Sequence, residues 1–88
     1  MLTNNFTLAL RNVQRTLSKS QAFAIARAAI QADLAPKPPR NVLRGPQAFH
    51  IAVDMLGRAL AATSEDEAIR LGTVIVEALE LVPEEVRP

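Results

Sequence analysis

Three prolines in four positions, Pro36, Pro38 and Pro39, interrupt a chain whose apolar residues otherwise recur at helical spacing. Each proline lacks an amide donor and restricts the residue before it, so residues 35–45 are expected to form an extended connector rather than a helix. Val42 and Leu43 are the residues expected to anchor that connector to the core. The 88 residues therefore read as one domain made of two helix-forming halves.

Four helices are expected, over about residues 4–17, 20–34, 46–62 and 65–82. In the first, Phe6, Leu10, Val13 and Leu17 share one seam, with Thr3, Asn4 and Asn5 as N-cap candidates. The seam loses phase at Ser18-Lys19-Ser20, where Ser18 or Ser20 is placed to cap a second helix; a single kinked helix is the other reading. Gly45-Pro46 opens the third helix, with Pro46 at its first position. Ser64 and Glu67 have capping-box spacing at the start of the fourth, and Glu65, Asp66 and Glu67 sit where the helix dipole favours negative charge. Pro83 ends that helix, leaving a frayed EEVRP tail.

The second and third helices share the motif Q-A-F-x-I-A, at Gln21–Ala26 and again at Gln47–Ala52. Phe23, Ala26, Ile30 and Leu34 would lie along one face, and Phe49, Ala52, Leu56 and Leu60 along its counterpart. An apolar stripe at this spacing is ordinarily core, so the repeat predicts two matching core faces, related by a pseudo-twofold. Only the glutamine has no packing role in this reading. The third helix has a single polar strip, Gln47, His50, Asp54, Gly57 and Arg58, and the fourth has Asp66, Arg70, Thr73, Glu77 and Glu80. Helices this apolar are either central or bury a face against a second copy, and a short chain favours self-association.

The fold expected is all-α: two helical hairpins joined by the Pro-rich connector, as a four-helix bundle or an intertwined or side-by-side homodimer. The prominence of Ala, Leu, Arg and Val, with three Phe and no Trp or Tyr, agrees with closely packed helices. It also resembles the composition of a bacterial or phage protein.

Candidate chemistry is sparse. There is no cysteine, hence no disulfide, thiolate metal site or thiol nucleophile. His50, the only histidine, forms an i, i+4, i+8 stripe with Asp54 and Arg58, which reads as a solvated ion-pair face before it reads as an acid/base pair. The three glycines form no phosphate-cradling loop, and no cofactor or metal is expected. Asn5-Phe6-Thr7 fits a glycosylation sequon, but no secretory leader or membrane span is read, so a cytoplasmic location is expected.

Charge is divided. The net value is +1, yet residues 1–45 carry seven basic groups against Asp33, and residues 46–88 carry three against eight acids. Such a division either draws the halves together or gives two electrically different faces. Arg11, Arg15 and Lys19 recur four apart on the first helix, and Arg27, Lys37, Arg40 and Arg44 extend the positive character. In a nucleic-acid reading, Arg11 and Arg15 contact phosphates while Gln21, Ala24, Arg27 and Gln31 of the second helix face the groove. Pro36-Lys37-Pro38-Pro39 fits P-x-x-P but reads as a stiff spacer. Ala24, Ala28 and Ala32 form a small-residue strip, either a partner surface or a neutral exposed face.

The function expected is that of a small non-catalytic module that binds another protein: an adaptor, regulator or inhibitor. The alternative is a DNA- or RNA-binding regulator using the basic half. The partner surface is expected among Arg11, Arg15, Lys19, Ala24, Arg27, Ala28, Gln31, Arg40, Arg44, His50, Asp54 and Arg58.

Overall fold

The computed structural model describes residues 4–80, whose regular elements are all helices, with no strand among them. Helix α1 spans Asn4–Thr16, α2 Lys19–Gln31, α3 Gly45–Leu60 and α4 Glu65–Glu80. The expected stop at Pro83, the tail, the cap candidate Thr3 and the side chains of Asn4, Asn5 and Phe6 lie outside the described part. The rest of the first seam is observed: Leu10 is buried, and Val13 and Leu17 pack against the core.

Two helices are separated at the break after α1. Ser18 has extended backbone, and its Oγ accepts from the Gln21 amide at 3.1 Å. Gln21 Oε1 in turn accepts from the Ser18 amide at 2.9 Å, completing a capping box. Arg44 has the same extended backbone before α3, and its amide donates to Gln47 Oε1 at 2.9 Å. A guanidinium has no acceptor, so this second cap is half a box. Gly45 is the first residue of α3, which puts Pro46 at its second position rather than the first. Before α4, Ser64 Oγ accepts from the Glu67 amide at 3.1 Å, the expected forward half of a box.

The two glutamines thus do the same work 26 positions apart, and the helices they start lie side by side in that register. At one end, Lys19 Cε lies 4.0 Å from where a Cβ would stand on Gly45. At the other, an Arg58 guanidinium N–H donates to the Leu34 carbonyl at 2.8 Å. Starts meet starts and ends meet ends, so α2 and α3 run parallel. That arrangement requires the chain to return along α2 before α3 begins. The 13 residues of α2 rise about 20 Å, and a similar number in extended form reach about 40 Å, so the connector is long enough.

The return starts with a left-handed turn. Asp33 has φ 59°, its amide donates to the Ile30 carbonyl at 3.1 Å, and the Leu34 amide donates to the Ala29 carbonyl at 2.8 Å. This is a Schellman C-cap with aspartate where glycine is usual. Beyond it, Pro38 has polyproline geometry and Pro39–Asn41 form one 3₁₀ turn, with Arg40 at φ 68°. Leu34, Ala35 and Leu43 pack against the core, whereas Val42 is 49% exposed and is not the anchor expected of it.

The α2–α3 contact is the most extensive in the molecule, and alanine explains it. Ala22, Ala26 and Ala29 of α2 and Ala48, Ala52 and Ala59 of α3 are buried, with Ile25, Met55 and Leu56 beside them. Small side chains let helix axes approach to the short end of the usual 8–10 Å range. The buried arc of α3 runs through Ala48, Ala52, Met55, Leu56 and Ala59, so the expected core face is displaced around that helix, away from Phe49. Phe23, Leu34 and Leu60 pack from the flank, Ile30 is half-buried, and Phe49 is 38% exposed. Of the residues assigned to the expected core faces, Ala26, Ala52 and Leu56 are fully buried.

Helix α4 contacts both α2 and α3, burying Ala68, Leu71, Gly72, Ile75 and Ala78. Its end meets the start of α2, where Val76 and Leu79 line a cleft with Gln21, so it runs antiparallel to the pair. The principal neighbour of α1 is α3 rather than α2, so the first two helices do not close as the expected hairpin. The flanks of α2 already meet α3, α4 and the connector, and α1 takes apolar surface on α3.

Two substitutions test the shared register. Gln21→Ala removes a buried acceptor and should lower stability by about 1–2 kcal/mol, whereas Gln47→Ala at an exposed cap should lower it by about 0.5 kcal/mol. Urea unfolding midpoints read the difference, and equal losses would rule out the buried cap. Asp33→Gly relieves the left-handed residue and should raise stability by about 0.5–1 kcal/mol in the same assay.

Candidate functional site

Two of the open surfaces among the described residues combine apolar side chains with expected partner residues. The first is the outer strip of α3. Phe49 is 38% exposed and Val53, one turn on, is 45% exposed, with His50 and Asp54 exposed beside them. Nothing lies within 4 Å of the position that a Cβ on Gly57 would occupy, so the strip continues into open space. An apolar centre edged by polar groups has the anatomy of a protein contact.

His50, Asp54 and Arg58 do follow one another along α3, but Arg58 turns inward. Its guanidinium holds the Leu34 carbonyl and stands 3.8 Å from Asp54 Oδ2. That pair is too long and too solvated to contribute much to stability, whereas the carbonyl contact ties the end of α2 to α3. Arg58 is therefore engaged within the molecule, and His50 and Asp54 are the solvent-facing members of the stripe.

The second surface is a groove of about 340 Å³ between α2 and the connector. Half-buried Ile30, Pro38 and Leu43 floor it; exposed Arg27, Gln31 and Lys37 line its rim. Pro38 stiffens one wall, and α2 forms the other. Two expected partner residues, Arg27 and Gln31, are brought together here. Lys37 joins them because the connector doubles back, which its place between prolines does not reveal.

The remaining basic candidates, Arg11, Arg15, Lys19, Arg40 and Arg44, are exposed. The groove-facing set of the nucleic-acid reading is not intact. Gln21 is 5% exposed and committed to the cap, and Ala24 is half-buried, which leaves Arg27 and Gln31. Nor is the alanine strip a bare face: Ala24 and Ala28 pack against the core, and Ala32 is half-buried.

Among the described residues no cluster of His, Asp or Glu is arranged to hold a metal ion, and no helix is long and apolar enough to cross a membrane. Comparison of the chain with protein-family models, curated proteins and solved structures gave no match.

Proposed function

We propose that this chain is a small non-catalytic protein-binding module, an adaptor, regulator or inhibitor, built as a four-helix bundle that also associates with itself. The observation that supports it is the exposure of Phe49 and Val53 on one strip of α3. Both residues come from the most apolar helix of the chain, and they lie on the side away from its alanine core. Less than half of each side chain remains to be buried, which supplies about 1 kcal/mol apiece at the centre of a contact whose polar edge His50 and Asp54 define.

The alternative, a nucleic-acid-binding regulator, draws its support from three exposed cations, Arg11 and Arg15 on α1 and Lys19 at the start of α2. Binding by those cations depends on phosphate neutralisation and falls steeply with salt. Binding through Phe49 and Val53 does not.

Phe49→Ser combined with Val53→Ser is expected to abolish partner capture at low and high salt alike while lowering stability by about 2 kcal/mol. Photo-crosslinking from position 53, with the double variant as control, identifies what is captured. Undiminished capture by the double variant, or capture lost instead in Arg11→Glu/Arg15→Glu, would overturn the proposal in favour of the alternative.

A further inference from the structure

We infer that the groove between α2 and the connector receives the start of α4 from a second copy of this chain. This rests on the self-association proposed above and assigns it an interface separate from the Phe49–Val53 strip. The groove has an apolar floor and two cations on its rim, Arg27 and Lys37. A ligand that fits it must offer an apolar side chain with carboxylates about one helical turn away. The chain itself displays such a segment. Ile69 of α4 is 50% exposed, and the exposed acids Glu65 and Asp66 stand four and three positions before it on the same side of the helix.

Acids in a first helical turn are explained by the helix dipole alone, and a single exposed isoleucine is ordinary. Neither accounts for a basic groove of matching design on the same molecule. Position adds a further reason. Arg27, Ile30 and Gln31 occupy the second half of α2, whose end is joined to the end of α3 through Arg58 and Leu34. Only four residues separate the end of α3 from the start of α4, so groove and acidic turn belong to the same end of the molecule. Two copies meeting at that end about a twofold axis would each fill the other's groove. The reciprocal contact doubles an otherwise small area and closes the assembly, where a one-way contact would propagate.

Each half of the contact is charged, so association is expected to weaken with salt. Sedimentation velocity over a concentration series reads it directly. Arg27→Glu/Lys37→Glu and, separately, Glu65→Lys/Asp66→Lys are each expected to weaken association by about tenfold or more. The two variants mixed, or the four changes in one chain, should restore it, because every groove then faces a turn of opposite charge. Ile69→Ser, which leaves the charges and the cap intact, should weaken association without affecting rescue by charge exchange in the other variants.

The inference is overturned if the four-change chain associates no better than either parent, or if both parents associate as the unaltered chain does. It is also overturned if the unaltered chain stays monomeric while its groove binds a labelled peptide alternating glutamate and leucine, or a short oligonucleotide, through Arg27 and Lys37. Capture through Phe49 and Val53 is read separately and is untouched by any of these outcomes.

Discussion

The close parallel contact of α2 with α3 governs the rest of this structure. Alanines at Ala22, Ala26 and Ala29 and at Ala48, Ala52 and Ala59 bring the two helices together. Parallel neighbours joined in sequence need a connection as long as a helix, and the Pro-rich segment supplies it. Its path along α2 creates the basic groove. Its end sets Gly45 beside Lys19 and so starts α3 level with α2. With Ala48, Ala52, Met55, Leu56 and Ala59 turned inward, Phe49 and Val53 fall outside the buried arc of α3 and reach solvent. Open surface and core thus share one cause.

The repeated Q-A-F-x-I-A has a double meaning in this arrangement. Its glutamines close equivalent caps, and its first and last alanines enter the shared contact, so the copies set where two helices begin and how they align. Its phenylalanines, the most conspicuous letters, are peripheral. Cap and register together explain why a parallel pair forms at all: both helices begin with an extended residue whose amide is held by a glutamine three positions on. From equal starts Ala22 falls level with Ala48 and Ala26 with Ala52.

Much of this organisation was legible in the residues. Four helices, the break at Ser18, the cap at Ser64 and the proline connector follow from local chemistry, because caps and prolines act over three or four positions. The core faces were legible only in part. Periodicity identifies a stripe, but it weights Phe and Leu by hydrophobicity. The buried face instead follows the alanines, with Ile25, Met55 and Leu56 among them, and leaves Phe49 at its edge. Val42 was misplaced for a related reason: an apolar residue in an extended segment points to either side, and only Leu43 points in. Of the candidate surface, the exposed cations and the His50–Asp54 stripe were visible at once. Lys37 beside Arg27, and Arg58 turned toward Leu34, depend on chain reversal over 10 to 24 positions, which no local pattern encodes.

By itself, the sequence determined the helices, their caps and the place where the chain cannot be helical, since each depends on backbone chemistry within a turn or two. Tertiary structure alone decided that α2 and α3 are parallel, that α1 lies on α3, and which apolar residues stay outside. Those outcomes turn on how closely two helices can approach, a property of the paired surfaces that neither helix carries alone.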